Sequence, residues 1–345
     1  MGKKHKAVLW EPLEEKAVKC NLCNHHCRIK EGAVGVCQVR RNEGGVLYSL
    51  SYDSVCSTGI DPIEKKPLFQ FQPGQMSFSI ATPGCNFRCD FCQNWQISQY
   101  PRMHDSLLGQ SVTPEQIVNA ALQNRCTSIA YTYTEPTIFM ELCADCGRLA
   151  RTKGLANVFV SNGYMTIEAI EFAGEFLDGI NVDLKSFSEK FYRDVCKAKL
   201  QPVLDTLIYI AGNTDIWLEV TTLVVPGLND SDEELKQIAD FITRELGPDV
   251  PWHISRYHPD FERSQGRPTP KETLEKAYNL GKEAGLRYIY VGNLPGSGRE
   301  NTYCYKCGEL LIERFGYQLG QYNLLNGCCP GCGTKLDGVG LERKE

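Results

Sequence analysis

From Met76 onward short apolar runs alternate with helical stretches, and this alternation limits the possible folds more than any other feature of the chain. Runs rich in β-branched and aromatic residues lie at Met76–Thr82, Ser128–Thr134, Asn157–Ser161, Gly179–Leu184, Trp217–Val225, Trp252–Tyr257 and Tyr288–Val291. Helix signals separate most of them. Thr113-Pro-Glu-Gln supplies an N-cap, a Pro at the first helical position and a capping-box Gln, followed by Ile117, Val118, Ala121 and Leu122 on one face. Ser231 or Asp230 can cap Asp232–Leu246, and Thr269-Pro270 opens a helix that Gly285 ends. Strands and helices alternating at this pitch predict a parallel sheet. Six or seven such units suit an α/β barrel, complete or partial, with its chemistry at the C-terminal ends of the strands. The pattern alone also admits a doubly wound open sheet.

The first run leads directly into Ala81-Thr-Pro-Gly-Cys85-Asn-Phe-Arg-Cys89-Asp-Phe-Cys92-Gln-Asn94. Three thiolates in a C-x3-C-x2-C spacing can wrap one small inorganic cluster, one ligand short of the four that close a cubane [4Fe–4S] centre. The missing ligand leaves one iron open to a small molecule. Gly84 permits a tight turn before Cys85, and Phe91 can stack on a flat ring. A structural zinc knuckle is the bland alternative.

Two further cysteine groups flank the alternating region. Cys20, Cys23, Cys27 and Cys37 follow a C-x2-C-x3-C-x9-C spacing, able to satisfy zinc tetrahedrally or to hold a second Fe–S cluster. The surrounding residues 1–70 read as a metal-stapled lobe plus a covering connection, whose last part, Leu68-Phe-Gln-Phe71, enters the main domain over 71–298. Residues 299–345 carry Cys304-x2-Cys307 and Cys329-x2-Cys332, which read as a zinc ribbon with Cys328 spare. Leu310–Ile312 and Tyr317–Leu319 are predicted to pair between these knuckles. The ribbon is expected to be separable from the chemistry, so that truncation at Gly298 spares it.

Composition narrows the function classes. A net charge of -5 argues against a general nucleic-acid binder. The chain opens on charged residues with no apolar leader, and it contains no run of about 18 apolar residues that would span a membrane. Seventeen Cys in such a chain predict metal binding in a reducing, cytoplasmic compartment rather than a disulfide framework, and they fit an anaerobic setting.

Other polar residues sit where barrel strands should end. These are Thr134 and Glu135, Ser161 and Asn162, the pair Asp183-Leu-Lys185, His258, and Asn293. Asp183 and Lys185 leave opposite charges on one face of a strand end, able to hold a hydroxyl and a carboxylate. His253, five residues before His258, is expected to pack. Cys143 and Cys146 fall at helical spacing with Leu142, Leu149 and Ala150 and are read as core thiols.

The cysteine trio resembles the signature of the radical S-adenosylmethionine (SAM) superfamily, and Asn94 resembles the C-x-N ending of glycyl-radical-enzyme activases. Asp61-Pro-Ile-Glu-Lys-Lys-Pro-Leu-Phe69 and Cys92-Gln-Asn-Trp-Gln-Ile-Ser98, with the N-terminal four-Cys segment, resemble the radical SAM component of the AmmeMemoRadiSam system, which is related to pyruvate formate-lyase activating enzymes. The resemblance covers most of residues 20–300. It implies a partial (β/α)6-type barrel, a [4Fe–4S] cluster on Cys85, Cys89 and Cys92, and SAM chelating the open iron. It also implies an electron donor such as ferredoxin or flavodoxin, and partners of the AMMECR and Memo types. By resemblance Glu135 stands where the superfamily has Gly-Gly-Glu near the SAM amino group. Asp183, Lys185 and His258 match SAM-contacting residues of the activases, and Asn293 lies where adenine is met. The leading reading is an enzyme that cleaves SAM to a 5′-deoxyadenosyl radical, which abstracts hydrogen from a substrate the chain does not name. A glycyl radical activase is the narrower alternative, and a non-catalytic, metal-stapled scaffold the competing class.

Overall fold

The computed structural model describes residues 4–294 and 296–342; residues 1–3, on which the expectation about a leader partly falls, lie outside the described residues. Its centre is one sheet of eight strands: β1 (Ser57–Pro62), β2 (Met76–Ala81), β3 (Ser128–Tyr131), β4 (Ala156–Ser161), β5 (Gly179–Asp183), β6 (Trp217–Val224), β7 (Trp252–Arg256) and β8 (Ile289–Gly292). All pairings from β2 to β8 are parallel. Spatial order follows chain order without a reversal, which excludes the doubly wound sheet, whose order reverses at a switch point. Right-handed crossovers then put the intervening helices on one face. Because β1 and β8 remain the two edges, the barrel is partial.

Each parallel step carries a helix: α1 (Pro114–Gln123), α2 (Met140–Thr152), α3 (Ile167–Gly174), α4 (Gln201–Asn213), α5 (Asp232–Phe241) and α6 (Lys271–Ala284). The starts follow the local chemistry. Thr113 and Gln116 close a reciprocal capping box on α1, and Ser231 accepts from the Glu234 N–H at the start of α5. Gly285, at φ 97°, ends α6 in the left-handed region that glycine adopts without strain. Cys143 and Cys146 are buried on α2, as their helical spacing predicts.

The stretch from Tyr48 to Gln70 is more than a connection. Ser57–Pro62 is an edge strand antiparallel to β2, in register from Ser57↔Ala81 to Pro62↔Met76. Gly59 and the terminal Pro62 weaken its strand signal, a composition tolerated because an edge strand is paired on one side only. Residues 68–71 then enter the barrel and close its floor. Glu219 on β6 accepts the backbone N–H groups of Phe69 and Gln70 at 2.9 and 2.8 Å, and the Trp217 indole at 3.0 Å. His253 on β7 meets the same carboxylate at 2.5 Å, which fixes it as a packed floor residue.

Residues 4–50 form a lobe of two small antiparallel sheets, tied to α2 by a buried ion pair between Arg40 and Glu141 at 3.0 Å. At the other end β9 (Thr302–Tyr303), β10 (Leu310–Phe315) and β11 (Gln318–Tyr322) form an antiparallel sheet with longer strands than the sequence predicts. This module is docked on the barrel rather than hung from it. Arg314 on β10 is buried, and its guanidinium donates to the Phe69 carbonyl at 2.7 Å and to Thr302 at 2.8 Å, lies 4.5 Å over the Phe69 ring and faces buried Glu64 at 3.5 Å. Removing the module would therefore strip the ionic partner from a buried carboxylate of the barrel.

Candidate functional site: a cysteine-lined cavity over the strand ends

The open side of the sheet holds a cavity of about 430 Å³ at the C-terminal ends of the parallel strands. Cys85, Cys89 and Cys92 line it, on the loop that leaves β2. Gly84 is what allows that loop. Its φ is 106°, and an added Cβ would lie 2.9 Å from Val39 and 3.1 Å from the Cys37 carbonyl, so a side chain there would collide with the N-terminal lobe. Within the loop, the Phe87 N–H donates to Cys85 Sγ at 3.3 Å, and Cys92 Sγ lies 3.4 Å from Ser98 Oγ. Burial pushes the Cys85 and Cys92 thiols up. A hydrogen bond with buried Cys196, followed by burial, does the same for Cys89. Cys196 had no spacing signal, because its approach to Cys89 is set by tertiary packing.

The predicted polar residues converge on the same cavity with one exception. Phe91, Asn94, Thr134, Glu135, Ser161, Asn162, Asp183, Lys185 and Asn293 all line it. His258 does not. β7 ends at Arg256, the buried Tyr257 turns inward, and His258 lies exposed outside the cavity; the inward place on this strand belongs to Ser255.

Glu135 is buried and fully engaged. Its carboxylate accepts from the Thr137 N–H and hydroxyl at 3.0 and 2.5 Å, from Ser161 at 2.8 Å and from the Asn162 N–H at 2.8 Å. Burial raises its pKa against the effect of these donors. It thus caps the short turn Pro136–Phe139 and also pins the end of β4. Asn162 in turn donates to Asn86 beside Cys85 at 2.7 Å.

Lys185 Nζ lies 2.8 Å from Asp183 Oδ2. Burial works against the lysine charge, but Asp183 and the sulfurs of Cys89 and Cys196 more than offset it and hold the pKa well above its ordinary value. The pair is therefore a charged element of the cavity wall beside the cysteine trio.

Sequence reasoning missed a second charged group. Asp61 on β1 accepts from Lys65 at 2.7 Å, Lys66 at 2.8 Å and Tyr133 at 2.7 Å. Burial opposes its charge, yet these donors hold its carboxyl far below the usual range. Lys65, Lys66 and Tyr133 line the cavity. The Asp61-to-Phe69 segment carried this signal as a resemblance, but its charged composition reads as surface.

The residues fit the groups the resemblance implies. Three sulfurs line the cavity together with charges of both signs, and the buried Thr221 hydroxyl on the cavity wall has no protein partner. A zwitterion with a ribose needs this mixture of donors and acceptors.

Elsewhere, Cys304 and Cys332 lie 3.6 Å apart, as do Cys307 and Cys329, and all four sulfurs lie within 4.8 Å of one another. Tetrahedral zinc with Zn–S bonds of about 2.3 Å needs sulfurs roughly 3.8 Å apart. Tyr317, on the turn of this module, reaches the main cavity wall. Cys328 stays outside the group.

An uncharacterised protein of Methanocaldococcus jannaschii is 47% identical over 333 residues, which is 96% of this chain and 98% of that one. Residues 79–242, from β2 through α5, match the model of the Radical SAM superfamily. The chain carries a radical SAM domain. A protein of the same organism that carries the provisional name of a glycyl-radical enzyme activating enzyme is 24% identical over 214 residues, covering 61% of this chain and 77% of its own length. A crystal structure of a radical SAM methyltransferase from Sphaerobacter thermophilus superposes with a TM-score of 0.49 at 15% identity, over 70% of this chain and 71% of that one. A radical SAM domain implies an enzyme with a [4Fe–4S] cluster and SAM. No helix among the described residues is long and apolar enough to cross a membrane.

Proposed function

We propose that this radical SAM enzyme reductively cleaves SAM at Cys85, Cys89 and Cys92 and directs the resulting radical at a substrate presented over the cavity. The observation that carries this reading is the convergence of the trio, Glu135 and the Asp183–Lys185 pair on one cavity. Bound there, the cluster and SAM supply a one-electron route to a 5′-deoxyadenosyl radical. The chain's own part is to bind and exclude. Cys85, Cys89 and Cys92 leave one iron free, Asp183 accepts from a ribose hydroxyl, and Lys185 donates to a carboxylate. Phe91 and Leu223 keep water from the reacting centre.

The substrate in this reading is a protein segment, as for a glycyl radical activase. The support is the distant relative named as such an activase and a second opening of about 550 Å³, which shares Asn293 and Tyr317 with the main cavity. An electron donor of the ferredoxin or flavodoxin type, partners of the AMMECR and Memo types and zinc in the C-terminal module belong to the same proposal. Anaerobic reconstitution with iron and sulfide, followed by SAM and dithionite, tests it. Methionine and 5′-deoxyadenosine should form, and neither should form when all three trio cysteines are alanine. Equal product from that variant overturns the reading.

A further inference from the structure

The N-terminal lobe brings Cys20, Cys23, Cys27 and Cys37 around a single small, largely enclosed cavity. Three of these thiols are buried and Cys27 is half-buried. Arg40 lines the same cavity and is 1% exposed. One guanidinium nitrogen, Nη2, donates to the Val8 carbonyl at 2.6 Å and faces Glu141 at 3.0 Å. Its Nε and Nη1 have no protein partner, although a buried N–H left unpaired is costly. Two unpaired donors of a buried cation, on the wall of a four-cysteine cage, call for an anionic acceptor inside that cage.

The spacing of the sulfurs decides which one. A single zinc ion draws four sulfurs to within roughly 3.8 Å of one another. The C-terminal quartet approaches this, with two pairs at 3.6 Å and all four sulfurs within 4.8 Å of one another, and among the described residues this tight grouping is confined to it. The N-terminal quartet surrounds one cavity, and neither it nor the trio Cys85, Cys89 and Cys92, where the superfamily places a cubane, offers three sulfurs within 4.8 Å of one another. The molecule thus contains its own scale: one quartet is gathered as for a single ion, while the other, like the cluster site, is not.

From this we infer that Cys20, Cys23, Cys27 and Cys37 hold a second [4Fe–4S] cluster, and that the Arg40 Nε and Nη1 groups donate to its sulfur atoms. The Val36 N–H, 3.5 Å from Cys27 Sγ, adds a backbone donor of the kind that stabilises ligating sulfur. Four cysteine ligands close this cluster, so it offers no open iron and cannot bind SAM. It stands beside the loop of the trio: Arg102 donates to the carbonyls of both Val36 and Cys85, at 2.6 and 3.1 Å. The inference does not depend on the identity of the substrate or on turnover.

Metal analysis of the full chain tests it without altering the lobe. After anaerobic reconstitution the chain should hold about eight irons, about eight acid-labile sulfides and about one zinc. The variant with Cys85, Cys89 and Cys92 all changed to Ala should keep about four irons and four sulfides. Once reduced, that retained cluster should give an electron paramagnetic resonance signal that SAM does not change. About four irons in the full chain, with or without a second zinc, overturns the inference. So does a triple variant without iron, or one whose signal shifts when SAM is added.

Discussion

Asp183 and Lys185 are held against each other at 2.8 Å on the wall beside the trio, so both charges are in place before a ligand arrives. Hydrogen bonds to charged groups are each worth about 1.5–3 kcal/mol. Asp183→Ala and Lys185→Ala should therefore each weaken SAM binding about 10- to 150-fold while keeping full iron content. Binding like that of the parent would show that the pair has only a structural role. His258→Ala, a change at an exposed residue outside the cavity, should leave SAM affinity unchanged within experimental error, and a tenfold loss would restore that histidine to the site. Asp61 offers a pH test. Its carboxyl is lowered in the folded state by Lys65, Lys66 and Tyr133, so its contribution is complete above the ordinary Asp value of about 4 and is lost as pH falls toward the folded value. Asp61→Asn leaves buried Lys66 without its counter-charge, which costs toward the lower end of the roughly 3–5 kcal/mol typical of broken buried pairs. Thermal unfolding should show the deficit at pH 7 and a smaller difference from the parent below pH 4.

At the scale of elements, the parallel strands were legible in the sequence because each is largely buried and leaves a run rich in apolar, β-branched or aromatic residues. All seven runs are strands of the sheet, with ends shifted by no more than three residues. The polar residues at their C-terminal ends were legible for the same reason, since a strand that stops at the cavity mouth delivers its next residue into it. His258 failed this rule because β7 stops at Arg256 and the chain has already turned away. β1 was illegible, being an edge strand with Gly59 and Pro62 and no apolar run. Asp61 and the lysines beside it were hidden with it, since a buried charged cluster has the composition of a surface segment. The docking of the C-terminal module was hidden too, because it rests on long-range contacts, among them Arg314 reaching Glu64 across 250 residues and Asp337 meeting Arg287 and Tyr288. Truncation at Gly298 removes Arg314 and the Tyr317 wall together. The expected outcome is a loss of about 3–5 kcal/mol from the barrel and reduced SAM cleavage. A truncated protein with the parent's melting temperature and cleavage rate would show the tail to be separable.

On the scale of the whole molecule, the three cysteine groups divide the work by spacing and closure. The C-terminal quartet is tight enough for one ion, the N-terminal quartet surrounds a small cavity, and the trio opens onto the barrel cavity. Of the three groups, the trio alone lacks a fourth ligand, and charged groups of both signs and an unpaired hydroxyl share its cavity. The most direct test is electron–nuclear double resonance on the reduced protein with SAM labelled at the methionyl nitrogen and carboxylate. Coupling of both labels to a cluster should appear in the parent and vanish when Cys85, Cys89 and Cys92 are alanine. A reduced, cluster-loaded parent showing no coupling to either label would contradict the placement of SAM at the open iron of the trio.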